Sequence, residues 1–211
     1  MLVVRCLVVP PLDANCWIVT TRGAPEAAVI DPGGAGEAIL EAVSELDAGI
    51  SAILLTHGHF DHMTAAAELA IASGAPIYAH PADAFLLAHP QEQMPGVVDA
   101  SVRGVERILP VAEGDEIEVG ELRFTVIETP GHSPGSVCYL TGAAIFTGDT
   151  LFAGGIGRTD LPGGDFEQLM ASIRNKLMPL PDDTAVHPGH GPSATIGHER
   201  RTNPWLTDVQ R

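Results

Sequence analysis

The segment Ile53-Leu54-Leu55-Thr56-His57-Gly58-His59-Phe60-Asp61-His62 limits the folds open to this chain more than any other. An apolar run of strand type ends directly in three imidazoles and a carboxylate. His57 and His59 are two apart, so in extended backbone their side chains point the same way. Asp61 and His62 follow where a helix would start. The ligand-type groups are thus split into two sets, which suits two neighbouring ions better than one. Imidazole nitrogen and carboxylate oxygen suit Zn²⁺, and also Fe or Mn. Any one of these residues alone reads as part of a His-rich surface turn. Four of them within residues 57–62 read as a metal site.

Around this segment, strand-type and helix-type stretches alternate. Leu2–Val9, Cys16–Thr21 and Ala27–Ile30 read as strands, and Asp31-Pro32-Gly33-Gly34 as a turn. Apolar spacing predicts a helix over Glu37–Leu46, a buried strand over Ile50–Leu55, and an alanine-rich helix over Thr64–Ala72. Ile77–Ala79 is a short strand, and Ala82–Ala88 a helix between Pro81 and Pro90. Residues 89–105 carry no period and read as a long loop, a lid or a dimer contact. Leu122–Glu128, Val137–Leu140 and Ala144–Thr147 are further strands, followed by a glycine-rich loop over Gly154–Gly164. A helix over Phe166–Met178 has Asp165 as N-cap, and Thr184–Val186 is a last strand. Helices must cover sheet faces, so the expected architecture is a layered α/β sandwich.

Later strand-type runs also end in ligand-type residues. Val126-Ile-Glu-Thr-Pro-Gly leads to His132, Ile145-Phe-Thr-Gly to Asp149, and Ala185-Val-His-Pro-Gly to His190. The carboxyl edge of a strand array is where sites assemble in open α/β sheets. Glycines beside each ligand (58, 131, 148, 189 and 191) let the chain turn sharply and approach an ion closely. His132, Asp149 and His190 are weak signals singly. Seven ligand-type residues in four strand-end loops are a strong one.

Composition narrows the function classes. At 211 residues, 45% hydrophobic and 18% charged, the chain is expected to form a single domain over 1–211 with a sizeable core. Its net charge of 11 − 27 = −16 argues against nucleic acid or an anionic membrane as partner. Cys6, Cys16 and Cys138 have no metal-type spacing, and their odd number fits a reducing compartment. With no signal-peptide pattern and no run of roughly 18 apolar residues, the expected location is cytoplasmic. The oligomeric state is left open.

The motifs together resemble those of the metallo-β-lactamase superfamily. Thr56-His-Gly-His-Phe-Asp-His62 is similar to its HxHxDH motif, and Thr129-Pro-Gly-His132, Phe146-Thr-Gly-Asp149 and Pro188-Gly-His190 to its later ones. The short, single-domain glyoxalase II-like branch is resembled further in Gly157-Arg158-Thr159-Asp160-Leu-Pro-Gly-Gly164 and in Thr195–Pro204. The resemblance implies a four-layer αβ/βα sandwich with a dinuclear site on one edge. It implies that His57, His59 and His132 hold one metal, that Asp61, His62 and His190 hold the other, and that Asp149 bridges both. Zn is the expected pair, with Fe or Mn as alternatives. The C-terminal helical domain that helps glyoxalase II bind glutathione is not expected, because 211 − 190 = 21 residues follow His190. No Cys stands among the second-metal ligands, unlike the B1 β-lactamases.

The activity so implied is hydrolysis of a small-molecule thioester, of the 2-hydroxyacyl type, with Asp61 as the catalytic carboxylate. A metal lowers the pKa of bound water to about 7. A thiolate, with a pKa near 8.5, can leave without a proton, whereas an amide nitrogen cannot. Two other readings stand beside this one. A mononuclear iron persulfide dioxygenase would use His57, His132 and Asp149 as a two-His-one-carboxylate set. A non-catalytic metal-binding protein on the same fold need not keep all seven ligands. Arg158 is a candidate substrate-binding residue, or pairs with Asp160. His80, His89, His187 and His198 read as structural or solvated.

Overall fold

A computed structural model describes residues 1–94, 98–99 and 102–207. The first sheet takes its strands in chain order: β1 (Leu2–Val9), β2 (Ala14–Thr21), β3 (Glu26–Ile30), β4 (Gly49–Leu54), β5 (Ile77–Ala79) and β6 (Leu109–Pro110). The first three pair antiparallel, and β3 to β6 run parallel. The second half begins with β7 (Glu116–Val119), β8 (Leu122–Glu128), β9 (Val137–Thr141) and β10 (Ala144–Gly148). A small hairpin of β11 (Leu151–Phe152) and β12 (Gly155–Ile156) follows, then β13 (Ala185–Pro188) and β14 (Ala194–Thr195). The second sheet has the order β14-β13-β10-β9-β8-β7, and β10 and β13 are its parallel pair.

Strand alternation separates three cores and so defines four layers. On β2, Trp17 and Val19 face the other sheet while Cys16 and Ile18 face helices. On β3, Ala28 and Ile30 face inward between the sheets, and Ala27 and Val29 outward. The middle core joins these to Phe124, Val126, Tyr139 and Phe146 of the second sheet. The first outer core packs Ile39 and Val43 of α1 (Gly36–Ser44) and Leu69 of a later helix against the first sheet. The second packs Leu169, Ile173 and Leu177 against Cys138, Ile145 and Val186. The arrangement is the expected αβ/βα sandwich. Each buried aliphatic side chain of these cores contributes about 1.5–3 kcal/mol of transfer free energy.

Several elements differ from the sequence reading. The helix expected over Thr64–Ala72 is α3 (Ala66–Ser73); a separate turn, α2 (Phe60–Met63), starts inside the His cluster and is parted from it by a break at Thr64–Ala65. The break lets Ala65 N–H donate to the Pro32 carbonyl, 3.0 Å away. The helix expected over Ala82–Ala88 opens as a 3₁₀ turn over Pro81–Asp83 before α4 (Ala84–Ala88). The stretch 89–105 contains α5 (Pro90–Gln93), with Pro90 at its first turn. Residues 95–97, 100 and 101 of that stretch lie outside the described residues, and so does any test of it as a lid or dimer contact.

β7 was not expected, although Glu116-Ile-Glu-Val119 alternates, with Ile117 and Val119 buried. The helix over Phe166–Met178 is α6 (Phe166–Ser172) continued as a π turn over Ile173–Leu177, and Asp165 caps it by accepting from Gln168 N–H at 3.0 Å. The strand expected over 184–186 is β13, and it is not the last. β14 and α7 (Ile196–Thr202) follow, with Thr195 as N-cap. A last turn, α8 (Pro204–Thr207), precedes the end of the described chain. No helix among the described residues is long and apolar enough to cross a membrane. Cys6, Cys16 and Cys138 are free thiols.

Candidate metal centre

All seven predicted ligand residues meet at one edge of the sandwich. His57, His59, Asp61 and His62 follow β4, His132 follows β8, Asp149 follows β10 and His190 follows β13. Two triads have mutually close ligand atoms: His57, His59 and His132, and Asp61, His62 and His190. In the first, His59 Nδ1 lies 2.8 Å from His132 Nε2. In the second, His190 Nε2 lies 3.3 Å from both His62 Nε2 and Asp61 Oδ2. Asp149 stands between them. Its Oδ2 is 3.6 Å from His132 Nε2 and 3.7 Å from His190 Nε2, while its Oδ1 is 3.4 Å from His62 Nε2.

A second layer fixes which nitrogen each ring offers. Thr56 Oγ1 donates to Asp31 Oδ2 at 2.6 Å, so its oxygen accepts the Nδ1 proton of His57 at 3.0 Å. Asp31 also takes the Nδ1 proton of His62 at 3.1 Å and Thr56 N–H at 2.8 Å. The Arg158 carbonyl takes that of His132 at 2.7 Å. His57 and His132 are thereby left with an Nε2 lone pair facing the cluster, and His62 offers one there once its second proton is lost. A third close group, Asp31 with His57 and His62, is this supporting layer: the Asp31 carboxylate is already occupied by its donors.

Two buried atoms in the cluster have no partner among the described residues, His57 Nε2 and Asp149 Oδ1. A buried polar atom without a partner costs about 1–3 kcal/mol. Here both orphans are lone-pair donors aimed into a group of lone-pair donors, which is the environment a divalent cation relieves. The donor set of imidazoles and carboxylates fits such ions.

The charges point the same way. Burial, then the neighbouring His62, His132 and His59 rings, push His57 well below its ordinary pKa. Burial and His132 take His59 down to about 4. Burial also opposes charge on His62, but Asp149, Asp61 and Asp31 outweigh it and hold its pKa near 10. For Asp61, burial is outweighed by His62 and His190, which keep the carboxyl well below its usual range. A positive charge is thus held at the centre of three carboxylates, where a metal ion would replace the proton.

Close packing explains the glycines. Gly148 adopts φ +47°, left-handed backbone that glycine tolerates best. A Cβ on Gly189 would collide with Asp149 Oδ1 and meet the His62 ring at 2.6 Å.

Four positioning groups are not apparent from the sequence. Asp31 was read as a turn only. Asp83 is buried and accepts from Gly58 N–H at 2.8 Å, Gly135 N–H at 2.7 Å and Ser133 Oγ–H at 2.6 Å, so it clamps the His57–His59 turn to the His132 turn. Asn15 donates to the Pro188 and Gly191 carbonyls at 3.0 and 2.8 Å, holding the His190 turn to β2. In the Thr195–Pro204 motif, Glu199 stands beside His198, which reads as structural or solvated. It is fully buried and accepts from Gly154 N–H at 2.8 Å and Asn203 Nδ2–H at 2.9 Å, pinning the β11–β12 hairpin. Arg158 pairs with Asp160 through Nε and Nη2, at 2.7 and 2.8 Å. His80 pairs with Glu128, His89 with Glu92 and His187 with Ser193, all outside the cluster; His198 is exposed.

A cavity of about 700 Å³ opens over the cluster, and Arg158 stands on its lining.

The chain is similar to known proteins. A family model described as the metallo-beta-lactamase superfamily matches residues 9–190. The chain is similar to a hydroxyacylglutathione hydrolase, GloC, of Haemophilus influenzae, 38% identical over 96% of this chain and 97% of that protein. It is similar to the crystal structure of the BLEG-1 B3 metallo-beta-lactamase, with TM-score 0.88, 38% identity, and 98% and 100% of the two chains covered. It is also similar to TTHA1623 in a di-iron-bound form, with TM-score 0.85, 40% identity, and 96% and 100% covered. With strand-end ligands, layer order and family match in agreement, the chain belongs to the metallo-beta-lactamase superfamily.

Proposed function

We propose that the protein is a metal-dependent hydrolase that cleaves a thioester. In this reading His57, His59, His132 and Asp149 hold one divalent ion, and Asp61, His62, His190 and Asp149 hold the second. The observation that carries it is the position of Asp149, within 3.7 Å of ligand nitrogens of both triads. Zn is the proposed metal; the di-iron form of TTHA1623 makes iron the alternative. Such ions supply water that ionises near neutral pH and a counter-charge for a carbonyl oxygen.

The chain's own groups do the rest. Asp61, buried and anionic beside His190, accepts a hydrogen bond from the attacking water and orients it. Water oxygen adds to the thioester carbonyl carbon. The C–S bond breaks with its electron pair on sulfur, giving a carboxylate, a thiol and one proton. Ligands aside, the ionisable groups lining the cavity among the described residues are Asp83, Glu92 and Arg158. Asp83 is saturated by three donors, Glu92 is paired with His89, and Arg158 is cationic and paired. Nothing there is placed to protonate an amine, so a leaving group that needs no proton is favoured, and a thiolate is one. GloC, named for hydroxyacylglutathione hydrolysis, makes a 2-hydroxyacyl thioester the first substrate to try. Arg158, held by Asp160 on the cavity lining, is the residue proposed to contact it.

A mononuclear iron dioxygenase would need only His57, His132 and Asp149, and would leave the Asp61–His62–His190 triad without a task. Metal content and thioester turnover of His190→Ala test the choice. The hydrolase reading expects loss of about one ion per chain and of at least about 10²-fold in turnover. Full turnover with one ion overturns it.

A further inference from the structure

The cavity over the metal centre has an ionic floor and apolar walls. Phe85, Leu86, Met94, Phe152, Ile156 and Leu161 line it. Phe85 is 62% exposed and Met94 44%, so large apolar side chains stand at the mouth with water on them. An exposed apolar surface rimming a cavity marks a place where apolar ligand surface is buried.

Charge is distributed in the opposite sense. Among the described residues lining the cavity, Arg158 is the single Lys or Arg. Its guanidinium is engaged by both oxygens of Asp160. The other charged groups there, Asp61, Asp83, Glu92 and Asp149, are acidic. The whole chain carries −16. A substrate arm bearing carboxylates, as glutathione does with two, meets no free cation on these walls. It must lose hydration against phenyl and isobutyl groups without compensation. An uncharged hydrocarbon arm gains from the same contact.

Resting on the thioester reading above, we propose that the cavity selects uncharged thioesters with an apolar acyl arm of medium length, and disfavours thioesters of glutathione. The carbonyl lies over the floor of His and Asp ligands. The acyl chain lies between the Phe85 and Phe152 walls. Each methylene buried there raises kcat/KM by about fourfold, until the walls are filled.

The test uses the metal-loaded enzyme and a series on one neutral thiol: the acetyl, butyryl, hexanoyl and octanoyl thioesters of N-acetylcysteamine, with S-D-lactoylglutathione beside them. The proposal expects kcat/KM to climb from acetyl to hexanoyl by at least tenfold, mainly through KM, and to exceed that for S-D-lactoylglutathione. Phe85→Ala and Phe152→Ala should each flatten the climb by at least threefold. Calorimetry gives a readout without turnover: the thioether S-hexyl-N-acetylcysteamine should bind at least tenfold tighter than the S-methyl analogue, and the two variants should narrow that ratio. A flat or falling series with S-D-lactoylglutathione hydrolysed fastest overturns this inference and leaves the thioester reading standing. Hydrolysis of no thioester by enzyme with both ions bound overturns both.

Discussion

Asp31 Oδ2 lies 3.1 Å from Nδ1 of His62, at the junction between the end of β3 and the start of α2. Through that contact, and through Thr56 to His57, one buried carboxylate sets the tautomer of a ring in each triad. Neutralising it should therefore be felt at both proposed ions. Asp31→Asn is expected to weaken metal affinity by about 10–100-fold, the usual effect of losing a partner behind a ligating imidazole. Competition with a chromophoric chelator measures it. Unchanged affinity at both sites would contradict the relay.

Asp83 is expected to act on one ion more than the other. Its bonds go to Gly58, between His57 and His59, and to Ser133 and Gly135, next to His132. Asp83→Ala strips three buried donors of their acceptor, at a cost of about 1–3 kcal/mol for each donor left unpaired. The first triad should loosen. Stepwise metal removal should show the ion of His57, His59 and His132 leaving earlier than in the parent protein, with the second ion retained. Equal loss of both would argue for general unfolding instead.

Metal uptake should release protons. In the metal-free protein His62 keeps its proton up to about pH 10, because Asp149, Asp61 and Asp31 together outweigh the burial that opposes it. An ion at Nε2 requires the neutral ring. His57 and His59 titrate far lower and have no proton to lose at pH 8. Affinity should rise by about tenfold per pH unit from 7 towards 10, and level off above it. Calorimetry in buffers of different ionisation enthalpy counts the protons. At least about one per chain is expected at pH 8, and none would refute the charge assignment.

β-Lactams are expected to be poor substrates, despite the similarity to a B3 metallo-beta-lactamase structure. Opening the ring leaves an amide nitrogen that needs a proton or strong metal stabilisation, and the acids lining the cavity besides the cluster, Asp83 and Glu92, are engaged by Gly58, Ser133 and Gly135 and by His89. Nitrocefin and a thioester assayed on the same metal-loaded sample decide it. Comparable kcat/KM for the two would remove the leaving-group argument.

The legible parts of this chain were those written in short range. His57 to His62 stand together, so the ligand types declare themselves, and His132, Asp149 and His190 each follow a strand-type run into a glycine. The layered fold followed from strands with one or both faces apolar. What was not legible depends on pairing between distant segments. Asp31 in Asp-Pro-Gly-Gly satisfies a turn just as well as a support. Only the parallel pairing of β3 with β4 brings it beside Thr56 and His62. Asp83 opens a short helix like any capping residue, and its three donors come from residues 25, 50 and 52 positions away. Glu199 sits in Gly-His-Glu-Arg-Arg, a polar string that reads as surface until α7 turns one side of it onto the hairpin. The break between α2 and α3 was hidden because alanine fits helix and link alike.

The measurement closest to the central claim is thiol release from a thioester by the metal-loaded protein under argon, followed with a thiol-reactive dye. Hydrolysis takes its oxygen from water. Release should therefore proceed at the same rate with and without O₂, and fall by at least about 10²-fold in Asp61→Ala at full metal occupancy. No thiol release from any thioester, with O₂ consumed when glutathione persulfide is supplied to the iron-loaded protein, would contradict the account.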